Sequence, residues 1–262
     1  MGTRIERDSM GELNVPGDAL YAAQTQRAVE NFPISGRGLP ESFMRALLTA
    51  KAAAATANVK LEQIPEDIGM AICQAVEQML SCDNFMSHFP VDVFQTGSGT
   101  SSNMNVNEVL GTVASSILGK AVDPNDHVNC GQSSNDIIPS TIHISAALGL
   151  EQQLLPALDH LSQVIKTKAE SVDSHVKTGR THLMDAMPIR LSQSLLSWAA
   201  QIDQAKSALG NNRESIRRLA QGGTAVGTGI NAHPEFADEF NKELSRLTGV
   251  LFRPAENFFN YI

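Results

Sequence analysis

The residues between 96 and 103 are of types that can surround an anion. They read Thr96-Gly97-Ser98-Gly99-Thr100-Ser101-Ser102-Asn103. Glycines let a backbone approach a ligand closely, and successive N–H groups and hydroxyls can cradle a negative charge. The cluster is not a P-loop, because no Lys follows the second Gly at the required spacing. The alternative is a hydrogen-bonded turn that caps the next helix, and spacing alone favours that alternative.

A second polar cluster comes directly before a long apolar-periodic segment. It reads Gln132-Ser133-Ser134-Asn135-Asp136. Ser, Asn and Asp are preferred at helix N-caps. A helix N-terminus also binds anions, since its N–H groups are free and its dipole favours negative charge. Capping and anion binding use the same physics, so the sequence leaves both open.

A third cluster contains the histidine best suited to proton transfer. It reads Gly179-Arg180-Thr181-His182-Leu183-Met184-Asp185 and lies between two predicted long helices. Histidine titrates near neutrality and is the usual proton-transfer group. Taken alone, this cluster favours the alternative that His182 is a surface residue, with Arg180 and Asp185 paired to hold a loop.

The remaining titratable residues predict neither a metal site nor a disulfide framework. The other histidines lack a second ligand at H-x-x-x-H spacing, so a zinc site is not indicated. His127 is one of them and follows Asp123, Asn125 and Asp126 in the text DPNDHVN. Three cysteines in a large chain indicate a reducing cytosol rather than disulfide bonds.

The composition excludes several classes of protein. The 262 residues include 20 Lys and Arg against 28 Asp and Glu, a net charge of −8, which argues against binding to nucleic acid. An aromatic content of 5% within 42% hydrophobic residues favours packed helices over a β-sandwich. No apolar run reaches the roughly 20 residues that span a bilayer, and the N-terminus has no secretory h-region.

The predicted elements are mostly helices. The first forty residues predict turns and one or two short strands, but no helix. Periodicity predicts helices over 41–61 and 65–81, and around 108–118. Long helical segments follow at 139–172, with a possible kink at Pro156, and at 188–220, with a loop around Gly179 between them. A shorter helix is predicted over 234–247. Two long helices joined by a modest loop suggest an antiparallel bundle.

Taken together, the three clusters resemble the class II fumarate hydratase family of the fumarase/aspartase superfamily. The matching texts are TGSGTSSNMNVNEVL (96–110), PNDHVNCGQSSNDIIPS (124–140), GRTHLMDAMP (179–188), ALYAAQTQRAVENF (19–32) and GGTAVGTGINAHPEF (222–236). The resemblance runs from about residue 5 to residue 250. Order, spacing and wording agree, which favours the functional interpretation of all three clusters.

The resemblance implies a mainly α fold: a small mixed N-terminal lyase domain over 1–130, then part of a long-helix bundle over 131–262. It also implies a cytoplasmic, cofactor-free enzyme of the tricarboxylic acid cycle that hydrates fumarate to L-malate. Such enzymes are homotetramers in which three subunits contribute to each active site. The chain ends on apolar Phe258, Phe259, Tyr261 and Ile262, so we expect a truncated bundle or partners that cover those side chains.

The resemblance also assigns roles to residues. His182 would act in acid/base chemistry or water placement. Donors aimed at the aci-carboxylate intermediate would stabilise its developing charge. The residues implied in substrate binding carry short polar side chains or none. One chain would supply Ser98, Gly99 and Thr100, a second chain Ser133, Ser134 and Asn135, and a third chain Thr181 with His182. Asn103 is also implied in substrate binding.

Two motifs separate fumarases from aspartate ammonia-lyases of the same superfamily. This chain reads Ser133-Ser134-Asn135-Asp136 at the first place and Thr181-His182 at the second. Aspartate ammonia-lyases have sequences resembling STND and RTQ at these places. A His can exchange protons with water and Gln cannot, so the sequence favours the fumarase. An ammonia-lyase, or a non-catalytic member of the superfamily, is the alternative.

The chain departs from the family pattern in two places. The auxiliary anion site, usually H-P-N-D, reads Asp123-Pro124-Asn125-Asp126 here, and an Asp would repel a dicarboxylate. The loop resembling G-S-S-x-M-P-x-K-x-N, which supplies the proposed base, does not occur. We expect it downstream of Ile262, and we expect no turnover from this chain alone.

Overall fold

The structure is a computed structural model that describes residues 2–8 and 10–262. The chain forms two compact units, one of Met1–Ser145 with Arg217–Ile262 and the other of Ala146–Ile216. The predicted domain division at residue 130 stays a prediction. No helix in the described part of the chain is both long and apolar enough to cross a membrane.

The first unit opens with an antiparallel hairpin of β1 (Thr3–Asp8) and β2 (Gly11–Pro16), followed by α1 (Ala23–Asn31). The strands confirm the predicted short strands, but the prediction that no helix lies before residue 40 was wrong. The N-cap of α1, Ala22, has no capping side chain. Instead, the buried carboxylate of Glu108 accepts hydrogen bonds from Ala22 N at 2.9 Å and Thr25 N at 3.1 Å. This cap comes from a distant helix, which explains why local sequence did not predict α1.

Three helices build the core of this unit: α2 (Glu41–Lys60), α3 (Glu66–Leu80) and α4 (Thr100–Leu118). The first two confirm the predicted helices almost to the residue, and α4 begins earlier than predicted. The alanines of α2 allow close packing. At Gly69 of α3 an added Cβ would lie 2.1 Å from Val59 Cγ2, so only glycine permits this approach.

The predicted helix over 139–172 is divided. It consists of α5 (Ser134–Gly149), a π-helical turn (Leu150–Leu154) and α6 (Leu155–Ser171). The irregularity therefore precedes Pro156. That proline is the second residue of α6, which follows the π-helical turn directly. Gly149, Leu154 and Leu155 keep right-handed helical φ/ψ values, so the chain stays helical through the turn.

The second unit pairs α6 with α7 (Leu191–Asn211), which the short α8 (Arg213–Ile216) follows. Asp203 of α7 accepts hydrogen bonds from Ser162 Oγ at 2.7 Å and Lys166 Nζ at 2.8 Å on α6. Lys206 pairs with Asp159, so the helices run antiparallel, as predicted. Their connection was predicted as a loop, but it is a hairpin of β3 (Val176–Thr181) and β4 (Met184–Arg190).

The remainder of the first unit comprises β5 (Arg218–Leu219), α9 (Phe236–Thr248) and β6 (Arg253–Pro254), and β5 pairs in parallel with β6. The predicted helix over 234–247 is confirmed by α9. The apolar end of the chain packs on the glycine-rich segment, residues 222–229. A Cβ at Gly223 would lie 2.9 Å from Phe258 Cβ. Mainly helical secondary structure with small hairpins confirms the predicted fold class.

Candidate active site

The first polar cluster forms a tight turn that starts α4. A 3₁₀ turn spans Gly97–Gly99, and Ser98 and Gly99 have φ values of 57° and 62°. A Cβ at Gly99 would lie 3.1 Å from Ile138 Cγ2 of α5. Both the left-handed conformation and this close approach therefore favour glycine at position 99.

Residues before the turn satisfy the free N–H groups of α4. Thr96 Oγ1 accepts a hydrogen bond from Ser101 N at 3.0 Å, and Gln95 Oε1 accepts one from Ser102 N at 2.9 Å. The cluster therefore does cap α4, as its spacing predicted, and the capping side chains are those of Thr96 and, just before the cluster, Gln95. Ser98 is exposed and half-buried Thr100 donates only to Gly97 O at 3.1 Å, which leaves both side chains at the surface of the turn.

The second cluster caps its own helix. Ser133 Oγ accepts a hydrogen bond from Asn135 N at 3.2 Å, and Asp136 Oδ1 accepts one from Ser133 N at 2.8 Å. This reciprocal arrangement is a capping box with Asp in place of the usual Glu. Asn135 Nδ2 donates to Ala225 O at 2.7 Å, which ties the start of α5 to the glycine-rich segment.

The structure joins the first two clusters. Asn103 is buried, and its Nδ2 donates to Ser134 Oγ at 3.1 Å and to Asn129 Oδ1 at 3.2 Å. A cleft of about 360 Å³ opens at this junction. Its lining is polar but uncharged and comprises Asn103, Met104, Asn129, Gly131, Gln132, Ser133, Ser134, Thr224, Ala225, Ile230 and Asn231.

Sequence reasoning missed a buried lysine behind this cleft. Lys51 of α2 is 0% exposed, and its Nζ donates to Asn129 Oδ1 at 3.0 Å and to Gln132 Oε1 at 2.9 Å. Burial lowers the pKa of Lys51 to about 7, an effect that the charge of Asp136 opposes. One signal was present in the sequence, because Lys51 is the sole charge in the otherwise uncharged run from 46 to 59.

Asp136 is the buried acid of the site. Besides Ser133 N, it accepts hydrogen bonds through Oδ2 from Gln221 Nε2 and Gly222 N, each at 3.1 Å, and from Thr224 N at 2.8 Å. Burial raises its pKa, while hydrogen bonds from the backbone and the charge of Lys51 act in the opposite direction. Its four donors make Asp136 an anchor for two segments rather than a group free to bind a ligand.

The residues of the auxiliary site lie elsewhere on the first unit. Asp123 caps a π-helical turn (Pro124–Val128), and its Oδ1 accepts hydrogen bonds from Asn125 N at 2.7 Å and Asp126 N at 2.8 Å. The turn packs on α4 at Gly111, where a Cβ would lie 3.1 Å from Pro124. At 1.5 Å per residue, that position is about 12 Å along the helix from Asn103. The Asp123 carboxylate thus occupies N–H groups that a bound anion would need.

Thr181 and His182 belong to the second unit, at the tip of its hairpin. Thr181 pairs with Met184, and His182 and Leu183 form the turn with φ values of 47° and 63°. Arg180 Nε lies 3.3 Å from Asp185 Oδ1, so the structural ion pair that the sequence suggested is present. The structure therefore brings Asn103 of the first cluster against Ser134 of the second, while Ser98 and Thr100 lie outside the lining of that cleft. The third cluster lies in another compact unit.

The described residues include no group of three or more His, Cys, Asp or Glu side chains arranged to hold a metal ion.

Comparison with known proteins places this chain and its fold among the lyases. A family profile described as "Lyase" matches residues 11–262, and the chain belongs to that family. It is 65% identical to fumarate hydratase class II 2 of Pseudomonas aeruginosa, over 99% of this chain and 57% of the relative. It is 52% identical to fumarate hydratase class II of Xylella fastidiosa strain 9a5c, over 98% of this chain and 54% of the relative.

A solved structure extends the likeness to three dimensions. The crystal structure of recombinant class II fumarase from Schistosoma mansoni aligns with a TM-score of 0.95 and 38% identity, covering 100% of this chain and 59% of that one. These findings confirm the resemblance that the three clusters carried. The chain spans between half and two thirds of the length of these relatives.

Proposed function

We propose that the complete protein to which this chain contributes is a class II fumarate hydratase, which catalyses the reversible hydration of fumarate to L-malate without a cofactor. The observation that carries the proposal is the cleft at the junction of α4 and α5. There Ser133 and Ser134 stand at a helix N-terminus, and Asn103 bonds directly to Ser134. Hydroxyls and a helix dipole together favour a carboxylate ligand.

The chemistry follows from where charge develops. Removal of a proton from malate, or attack of water on fumarate, builds negative charge on a carboxylate. Fixed donors aimed at that charge stabilise the transition state more than the ground state. We assign these donors to Ser98, Gly99 and Thr100 of one copy and to Ser133, Ser134 and Asn135 of another, with Asn103 in support.

Thr181 and His182 complete the proposed site, with His182 in acid/base chemistry or water placement. From the resemblance to class II fumarases, we assign these two residues to a third copy within a homotetramer. The hairpin supports assembly, since its apolar side chains are largely exposed: Leu183 is 97%, Met187 75% and Met184 70% exposed. We place the enzyme in the cytoplasm.

An aspartate ammonia-lyase of the same fold is the second candidate. The histidine at position 182 favours the hydratase, because imidazole can exchange a proton with water near neutral pH. A non-catalytic member is the third candidate. This candidate is distinguished by whether the G-S-S-x-M-P-x-K-x-N loop occurs in the native gene product.

The test is a set of activity measurements on the purified complete gene product. Loss of fumarate absorbance with formation of L-malate is expected, without ammonia release from aspartate. Ammonia release without malate formation would establish the ammonia-lyase. The absence of both activities would establish the non-catalytic alternative. The 262-residue chain is expected to show no turnover, and turnover by it would contradict our assignment of the proposed base to the missing loop.

A further inference from the structure

We propose that Lys51 is a positioning residue for the anion site: its buried ammonium holds Asn129 and Gln132, and through them the turn that presents Ser133 and Ser134. The inference rests on the proposed function, since it assigns a role at the same site. It concerns a residue that reaches the cleft only through other side chains.

The contacts run from α2 to the cleft without a gap. Lys51 Nζ donates to Asn129 Oδ1 at 3.0 Å, and the same oxygen accepts a hydrogen bond from Asn103 Nδ2 at 3.2 Å. Asn103 in turn donates to Ser134 Oγ at 3.1 Å. A shift of the ammonium is therefore passed on to the serine hydroxyl at the start of α5.

The ammonium also fixes the orientation of both amides. Gln132 Oε1 faces Lys51, while its Nε2 donates to Val128 O at 3.0 Å and to Cys130 O at 3.2 Å. Asn129 Nδ2 donates to Gln132 O at 3.3 Å. An amide whose oxygen receives a cation cannot rotate without bringing its own NH₂ against that cation. The turn before Ser133 is thus closed by hydrogen bonds whose direction Lys51 sets.

Two buried charges hold the turn from opposite sides. Lys51 binds Asn129 and Gln132, whereas Asp136 accepts a hydrogen bond from Ser133 N and binds the glycine-rich segment at Gly222. Burial of a charge costs free energy unless it is paired and hydrogen-bonded. A buried pair of charges that is replaced as a whole by apolar residues of similar volume is often no less stable. A charge within the alanine-rich α2 is therefore better explained by the turn that it orients than by the stability of the helix.

Lys51 acts on the cleft through its charge as well as through the side chains that it positions. None of the residues that line the cleft is charged. The ammonium of Lys51, one side chain behind the wall, contributes positive potential there, and the carboxylate of Asp136, bonded to the N–H groups of Ser133 and Thr224, opposes it. Lys51 is fully buried, and electrostatic interactions of a buried charge are stronger than those of a charge in bulk solvent. Lys51 is expected to affect both substrate affinity and the geometry of the donors.

The experiment compares Lys51→Met, Lys51→Arg and Lys60→Met in the complete protein. Lys60 is the matched control, because it lies on the same helix but at its exposed C-terminal end, paired with Glu239. In folded Lys51→Met we expect a raised KM and a loss of about 100-fold in kcat/KM, the effect of misplacing site groups by about 1 Å. Lys51→Arg, which keeps charge and donors, should recover part of the loss, and Lys60→Met should resemble wild type.

Circular dichroism and thermal unfolding establish whether each variant is folded at the assay temperature. Folded Lys51→Met with kcat and KM within about threefold of wild type would overturn the proposal. Where Lys51→Met does not fold, Lys51→Arg decides: its KM should stay level as pH rises above 7, while that of wild type rises, because a guanidinium keeps its proton. Identical pH profiles, or failure of both variants to fold, would assign Lys51 a purely structural role.

Failure of the proposed function has a different signature. A wild-type protein without hydratase activity would contradict the proposed reaction. The role of Lys51 would then be tested by measuring dicarboxylate binding. Calorimetry with succinate, an unreactive dicarboxylate, would then compare wild type with the same variants. Weaker succinate binding by folded Lys51→Met than by Lys60→Met supports the proposal, and equal binding overturns it.

Discussion

Asn103 Nδ2 lies 3.1 Å from Ser134 Oγ, and this hydrogen bond joins the first turn of α4 to the first residue of α5. The two residues are 31 positions apart in the chain. Their contact places Asn103 of the first cluster beside the second cluster, in the wall of the cleft. It also shows that Asn103 supports the site from below its surface, since its side chain is 1% exposed.

Asn103→Ala should lower the free energy of unfolding by more than Asn107→Ala does. Both asparagines are buried on the same face of α4, so each substitution leaves a similar cavity. Asn103 loses hydrogen bonds to Ser134 and Asn129, whereas Asn107 Nδ2 contacts only Met104 Sδ at 3.7 Å. We expect a difference of about 1–3 kcal/mol in urea unfolding. Equal effects would mean that the Asn103 hydrogen bonds add little to stability.

Gly99→Ala should destabilise the chain more than Gly119→Ala. The two glycines flank α4 with φ values of 62° and 71°, so both substitutions strain the backbone by about 1–2 kcal/mol. An added Cβ at Gly99 would also meet Ile138 at 3.1 Å, whereas at Gly119 it would meet nothing within 4 Å. An additional loss of about 1–3 kcal/mol at Gly99 is expected from overpacking. Thermal unfolding of both variants measures the difference, and a larger loss at Gly119 would contradict the packing of α4 on α5.

His182→Asn in the complete protein should lower kcat far more than it raises KM. The position has a φ of 47°, a left-handed conformation that asparagine tolerates, so the substitution removes the imidazole and preserves the turn. Loss of general acid/base chemistry lowers the rate by about 100- to 10,000-fold. Steady-state kinetics check this against His160→Asn, an exposed histidine of α6 in the same unit. An unchanged kcat would remove His182 from the chemistry.

Lys51→Met and Asp136→Asn should each destabilise the chain, and the double variant should lose less than the sum. The two buried groups carry opposite charges, and each opposes the effect of burial on the pKa of the other. Either single variant leaves one buried charge without its counterpart. A double-mutant cycle by urea unfolding is expected to give a coupling of about 1 kcal/mol. Strict additivity would show that the two charges do not interact across the turn.

The stability of the chain should rise with pH above neutrality through Lys51. Burial lowers the pKa of Lys51 to about 7 in the folded chain, while a lysine in the unfolded chain titrates near about 10.4. Between these values the unfolded state binds more protons, so the free energy of unfolding increases with pH by at most about 1.4 kcal/mol per unit.

Urea unfolding at pH 7 and pH 9 tests this linkage. Lys51→Met lacks the titrating group, so the stability of wild type relative to this variant should increase by about 1–3 kcal/mol between the two pH values. A difference that stays constant with pH would show that Lys51 titrates normally in the folded chain.

The local sequence predicted α2, α3 and α9 because each element carries its own signal. Periodic apolar residues and a proline just before the first turn of α2 and of α3 define those helices without help from the rest of the chain. The sequence also identified three polar clusters, because runs of Gly, Ser, Thr and Asn stand out against alanine-rich helical text. The order and wording of these clusters were sufficient to indicate the lyase family.

The tertiary structure decided what depends on residues distant in sequence. The cap of α1 is Glu108, and the hairpin around His182 replaces a predicted loop, because strand pairing and remote carboxylates leave no local pattern. The role of Lys51 depends on the turn of Asn129 and Gln132, 78 and 81 positions away in the chain, which the fold places over it. Sequence alone thus determined which residues could bind an anion, and packing determined which of them meet and what holds them.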